Sequence, residues 1–161
     1  MSGWLSGRRS IRLPADVYQQ PGIRALLTIV VNSRDRIFEN ATLALEIVEL
    51  LRQQAEYERI AVLAYCLMPD HLHLLVRVDG PIGAVQFIQT FKSKSTRIAW
   101  KHGHTGQLWQ RSFHDRLLRE TENEHETIRY LFANPVRSGL VGTWPQYAFS
   151  GSFAYELADF S

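Results

Sequence analysis

With 161 residues, 45% of them hydrophobic and 21% charged, the chain has the composition of one globular domain that can bury a core without staples. A formal charge of +2 is too small to argue nucleic-acid binding by itself, and a single cysteine, Cys66, excludes an intrachain disulfide. No apolar run approaches the length of a membrane span and no signal-peptide pattern opens the chain, so a cytoplasmic protein away from membranes is expected.

Residues 1–22 read as an irregular basic arm, with Arg8, Arg9 and Arg12, ending in a turn at Pro21-Gly22. Such an arm is either a solvated terminus or a phosphate contact, which needs cations but little fixed structure. Ala25–Val31 is short, apolar and β-branched, the pattern of a buried strand. Leu43, Ile47, Leu50 and Leu51 recur at helical spacing and predict an amphipathic helix over residues 41–56. A second strand follows over Ile60–Leu67, with Cys66 as a small buried hydrophobe within it. Pro69-Asp70 breaks the run and lets His71–Val78 return beside it as a hairpin partner.

In a strand over His71–Val78, Leu72, Leu74, Val76 and Val78 share the face suited to a core. His71, His73, Leu75 and Arg77 share the other. Two imidazoles two residues apart on one strand face can reach a single metal ion, although a half-exposed strand with two polar positions gives the same pattern.

The second helix is expected over Pro81–His102, with Ala84, Val85, Ile88, Phe91, Ser95, Ile98 and Ala99 on one side. Lys94, Arg97 and Lys101 gather on a separate side, and Lys92 is a misfit near the apolar stripe. His102-Gly103-His104-Thr105-Gly106 is read as a flexible linker, since glycines leave ligands poorly preorganised. Phe113–Arg119 is the expected last strand. Thr121-Glu122-Asn123-Glu124 reads as a capping box with threonine as N-cap, opening a helix that Pro135 stops near Asn134. Ile128, Leu131 and Phe132 point inward from it, while Tyr130 and Asn134 share another face one turn apart. The aromatic tail Trp144–Phe160 is expected to drape over the core.

The order β-α-β-β-α-β-α predicts an α+β fold with a ferredoxin-like antiparallel sheet and helices mainly on one face. The opposite face would be left open where His71 and His73 point. Residues 1–161 are expected to form one domain, with 1–22 as its arm. In this arrangement Asn134 can supply an amide oxygen as a third metal ligand, and an open metal position can polarise a phosphate oxygen. A tyrosine such as Tyr130 is a weak nucleophile until a metal or base helps it.

Four stretches carry a family resemblance: Tyr65-Cys-Leu-Met-Pro-Asp-His-Leu-His-Leu-Leu-Val76, Leu108-Trp-Gln-Arg-Ser-Phe113, Arg129-Tyr-Leu-Phe-Ala-Asn-Pro-Val-Arg-Ser-Gly-Leu140, and Trp144-Pro145 with Phe149-Ser-Gly151. Arg12-Leu-Pro14 and Tyr18-Gln-Gln-Pro-Gly22 also fit, in the right order. With these the chain resembles the REP-associated tyrosine transposases, within the single-tyrosine HUH transposase family of insertion sequences. The resemblance implies His71 and His73 as metal ligands, Asn134 as the third, and Mg²⁺ or Mn²⁺ as the cofactor. It implies Tyr130 as the nucleophile on single-stranded DNA, forming a 5′-phosphotyrosine link and releasing a 3′-OH. The implied substrates are hairpin-forming, repeated extragenic palindromes with a flanking single strand. In that frame Arg8, Arg9, Arg12, Lys94, Arg97, Lys101 and Arg111 become candidate DNA contacts, in a monomer or homodimer. Trp109 and Tyr65 can stack on a base or serve the core. The first strand departs from the family pattern in lacking an aromatic before Thr28, a core position.

A metal-dependent single-strand DNA endonuclease and strand transferase is the function expected from this pattern. A domesticated hairpin-binding protein that no longer cuts is the alternative, and a metal-dependent hydrolase with a purely structural Tyr130 is a third.

Overall fold

The computed structural model describes residues 16–160. Among these residues the first seven strands and α-helices follow the expected β-α-β-β-α-β-α order, and α4 and β5 are added to it: β1 (Arg24–Val30), α1 (Ala41–Glu58), β2 (Ile60–Met68), β3 (His71–Val78), α2 (Ala84–Lys101), β4 (His114–Leu117), α3 (Glu124–Phe132), α4 (Asn134–Arg137) and β5 (Ser150–Gly151). The five strands form one antiparallel sheet in the order β4-β1-β3-β2-β5. The strand carrying the two histidines therefore lies at the centre of the sheet. Four strands give the ferredoxin-like order; β5, two residues from the aromatic tail, extends it at the β2 edge.

Alternation along the strands divides the apolar residues between two cores. Leu27 and Ile29 of β1 and Leu72, Leu74, Val76 and Val78 of β3 face α1 and α2, meeting Leu43, Ile47, Phe87, Ile88 and Phe91. Leu27 fills its position before Thr28 at 1% exposure, so that core site is packed without an aromatic. The second face is not open. Leu26, Leu63, Ala64, Cys66, Met68 and Leu75 lie under Ile128, Leu131 and Phe132 of α3, with Phe160 from the tail. The tail covers this face because its aromatics stack on α3: the rings of Phe132 and Trp144 lie nearly parallel with centroids 5.0 Å apart.

A bulge in β2 makes the second core possible. The β2–β3 pairing runs Val62↔Val76 and then Ala64↔Leu75, so Leu63 is an extra residue. It re-phases the strand, turning Ala64, Cys66 and Met68 toward α3 and setting Cys66 opposite His73.

Several local expectations change in the tertiary structure. Tyr18 is no part of a loose arm: it is 1% exposed and its hydroxyl hydrogen-bonds the Asp115 carboxylate of β4. Lys92 leaves the apolar stripe of α2 by reaching across to the carbonyls of Gln110 (2.8 Å) and Arg111 (3.3 Å). Trp109 and Tyr65 are buried, and the Trp109 indole N–H donates to Ser95 Oγ at 2.8 Å, so both serve the core. In the glycine linker, His102 is tied to Glu46 of α1.

The N-cap of α3 is Asn123 rather than Thr121: its side-chain oxygen accepts from the Glu126 backbone N–H at 3.1 Å. Glu124, the glutamate of the expected box, is engaged elsewhere: its carboxylate accepts from Arg24 of β1 at 3.2 Å and from the Tyr155 hydroxyl of the tail. Pro135 does not end the helical path. It sits in the first turn of α4, where a missing N–H costs nothing. Removing the cap should therefore discriminate the two assignments. Asn123→Ala should lower stability to urea by about 1 kcal/mol, while Thr121→Ala should leave the midpoint almost unchanged.

Candidate metal and nucleophile site

Register places a hydroxyl beside the inner histidine. Thr28 of β1 pairs with His73 of β3, and Thr28 Oγ1 lies 2.9 Å from His73 Nδ1. On the outer histidine, Asp70 at the hairpin turn accepts from His71 Nδ1–H at 2.6 Å, with Arg34 3.7 Å from the other carboxylate oxygen. The two Nδ1 atoms are thus each held by an oxygen, and the two Nε2 atoms point at one another, 3.0 Å apart.

That separation has two chemical solutions. Without an ion, the Thr28 hydroxyl donates to His73 Nδ1, His73 Nε2–H donates to His71 Nε2, and His71 Nδ1–H donates to Asp70. Alternatively His73 Nδ1–H donates to Thr28 Oγ1, and two lone pairs face the same gap, which requires a cation there. The 3.0 Å spacing of the nitrogens equals the edge of about 3.0 Å between neighbouring ligands at about 2.1 Å from an octahedral ion. Oxygen partners on both Nδ1 atoms are the usual way to fix the tautomer and ring orientation of ligating histidines. The donor set therefore fits a divalent ion.

Burial keeps both rings in the neutral, ligand-ready form. It pushes the His71 pKa down, partly offset by Asp70, and it lowers His73 to about 3, helped by the neighbouring His71 and the Arg137 charge. Cys66, opposite His73, is pushed well up by burial and remains a thiol. Among the described residues no cluster of three His, Cys, Asp or Glu side chains exists, so a third protein ligand would have to be neutral.

Asn134 meets that description. It is 8% exposed, and it lines one cavity together with Thr28, His73, Thr127, Tyr130 and Leu131. Its Nδ2 donates to the Leu131 carbonyl at 3.0 Å, which turns Oδ1 the other way, to accept from Arg137 Nη2 at 2.9 Å. Tyr130 lies on the outward side of α3, since Ile128, Leu131 and Phe132 take the buried side, and at 37% exposure its ring is reachable from solvent. α3 thus brings a tyrosine and an amide to the same cavity as a histidine of β3.

The candidate cations are placed elsewhere. Lys94, Arg97 and Lys101 are exposed on α2, the layer on the far side of the sheet from His71 and His73. Arg111 is exposed in the segment packed along α2, and Arg8, Arg9 and Arg12 lie outside the described residues. Sequence patterns missed Thr28, Asp70 and Arg137. Thr28 is found only through cross-strand register. By pattern Asp70 is a turn residue, and Arg137 lies beyond the expected stop at Pro135.

Residues 20–131 match the family model described as Transposase IS200 like, a span that includes His71, His73 and Tyr130 but ends before Asn134. A Haemophilus influenzae protein named as a REP-associated tyrosine transposase is 25% identical over 121 residues, 66% of this chain and 68% of its own. The solved structure of a REP-associated tyrosine transposase bound to a REP hairpin superposes with a TM-score of 0.69 at 17% identity, covering 83% of this chain and 78% of that one. A Deinococcus radiodurans structure described as a transposase gives 0.51 at 21% identity, covering 75% and 92%. At these identities both structural likenesses speak for the fold. Among the described residues no helix is long and apolar enough to cross a membrane.

The buried neutral imidazole makes a pH prediction. In the unfolded chain His73 takes up a proton near pH ~6.5, whereas in the folded protein it stays unprotonated to about pH 3. The unfolded state therefore binds more protons as pH falls through that window, and stability drops. In chelator, the loss between pH 7 and pH 4.5 should shrink by on the order of 2 kcal/mol in His73→Asn, measured by denaturant titration at each pH.

Proposed function

The chain belongs to the IS200-like transposase family, and we propose that it is a metal-dependent nuclease and strand transferase for single-stranded, hairpin-forming DNA, with Tyr130 as its nucleophile. The observation that carries this reading is one cavity lined by Tyr130, Asn134 and His73, with the Nε2 atoms of His71 and His73 converging on one point beside it. The family assignment supports a DNA-rearranging role, and the REP hairpin in the structural relative supports a hairpin as the DNA.

His71 and His73 would hold Mg²⁺ or Mn²⁺ through Nε2, with the Asn134 amide oxygen as a third ligand. When bound, the ion supplies positive charge to a non-bridging phosphate oxygen. Thr28 and Asp70 orient the two rings by accepting their Nδ1–H groups. α3 presents the Tyr130 phenol at the cavity mouth, and in-line attack needs its oxygen within roughly 3–3.5 Å of phosphorus. In that step the tyrosyl oxygen forms a bond to phosphorus and the bond from phosphorus to the 3′ oxygen breaks. The product is a 5′-phosphotyrosine and a 3′-OH that has gained a proton, while the phenol has lost one. Attack by another 3′-OH reverses the step and joins a new strand without a nucleotide cofactor.

The competing reading, hairpin binding without cleavage, differs at one bond. Incubation of a labelled hairpin with a single-stranded flank and Mn²⁺, read on denaturing gels, should give a covalent complex with the wild-type chain. Tyr130→Phe should lose the complex while still binding the hairpin, and His73→Ala should lose cleavage. Asn134→Ala should be milder, since water can replace a neutral ligand. A wild-type protein that binds without any adduct would establish the binding-only reading instead.

The exposed cations of α2 lead to a separate expectation about affinity. Each phosphate neutralised releases counterions, so replacing Lys94, Arg97 and Lys101 together by alanine should flatten the salt dependence of hairpin binding by about two to three log units per log unit of salt. An unchanged slope, measured by fluorescence anisotropy over a salt series, would mean that this face is solvated only.

A further inference from the structure

We infer that Arg137 is a further substrate-binding residue of this site, holding the phosphodiester that Tyr130 attacks. The inference rests on the strand-transferase reading above and adds a residue that neither the strand pattern nor the metal chemistry requires.

Arg137 closes α4, three residues after Asn134 and seven after Tyr130. Its guanidinium carbon lies 4.1 Å from the centroid of the Tyr130 ring. Nη2 donates to the Tyr130 carbonyl at 3.0 Å and to Asn134 Oδ1 at 2.9 Å. One planar cation is therefore fixed at three points to the proposed nucleophile and the proposed neutral ligand. Both hydrogens of Nη2 are used, and the N–H groups of Nε and Nη1 have no protein acceptor among the described residues. Arg137 also has no carboxylate partner among the described residues, unlike Arg24, Arg34, Arg36, Arg52, Arg77 and Arg116.

An uncompensated guanidinium held against a tyrosine ring has two uses. As a helix clamp it would only satisfy the Tyr130 carbonyl at the end of α3. As a phosphate donor it would offer its remaining N–H groups to non-bridging oxygens, which match guanidinium geometry and charge. The clamp alone explains the contact to the Tyr130 carbonyl. It does not explain why the cation also spans the Asn134 oxygen and the face of the phenol, where an arriving diester would complete its charge. Aromatic stacking preorganises the guanidinium, so less entropy is lost when the phosphate arrives.

The test uses the full chain and begins by mapping the cleaved phosphodiester from the wild-type covalent adduct. That one phosphate is then replaced by an uncharged methylphosphonate, and binding is measured in chelator on the Tyr130→Phe background, where neither cleavage nor a metal contact to the phosphate intervenes. Tyr130→Phe should bind the neutral strand about tenfold more weakly than the native strand, the scale of one charge-assisted hydrogen bond. Tyr130→Phe with Arg137→Gln should bind both strands alike, because the partner of the missing charge is gone. A clamp would shift thermal stability without changing this ratio. If Arg137→Gln does not fold, Arg137→Lys in the same cycle should give an intermediate ratio. Equal methylphosphonate losses with and without Arg137, beside a normal wild-type adduct, would overturn the inference alone. No adduct from the wild-type chain on any hairpin would overturn the strand-transferase reading, and the inference with it.

Discussion

Everything at the site depends on β3 being a fully paired central strand. Its hydrogen bonds to β1 and β2 fix which residues stand beside His71 and His73, and its alternation fixes which side they face. A slip of one residue would send both imidazoles into the core of α1 and α2 and turn Leu72 and Leu74 toward α3. The apolar residues on the first face prevent this, because Leu72, Leu74, Val76 and Val78 are all buried there. Hydrophobic burial on one face thus holds polar chemistry in place on the other.

The same constraint explains why the histidines are neutral yet hydrogen-bonded. A central strand under a second layer leaves His73 5% exposed, and a buried polar ring needs partners. Thr28 supplies one by register, Asp70 supplies one from the hairpin turn, and each ring supplies the other's remaining contact. The outcome is a pair of nitrogens 3.0 Å apart whose positions are set from behind, with His73 lining the cavity that α3 borders.

The second layer is a compromise between covering and access. α3 and the tail bury Cys66, Met68 and Leu75, but α3 is short and breaks at Ala133 before α4 begins. Tyr130 and Asn134 fall on either side of that break, the one exposed and the other buried. Arg137 bridges them from the end of α4, so the break is spanned by a side chain.

Much of this was legible in the chain itself. The limits of β3, the two faces it presents, the two long helices and the outward position of Tyr130 follow from periodicity, because burial on one side imposes a period of 2 or 3.6 that polar positions must respect. The family motifs supplied the pairing of His71 and His73 with Tyr130 and Asn134, which no local pattern can, since these residues are about sixty positions apart. What the tertiary structure alone decided lies in contacts between elements. Thr28 became the partner of His73 through strand register, and Leu63 became a bulge that turned Cys66 toward α3. Asn123 took the cap from Thr121, and Glu124, the glutamate of the expected box, was drawn to Arg24 of β1 and Tyr155 of the tail. Arg137 reached Tyr130 because the chain stays helical through Pro135. Each depends on energies exchanged between segments distant in sequence, and a local pattern carries no information about which distant side chain will arrive.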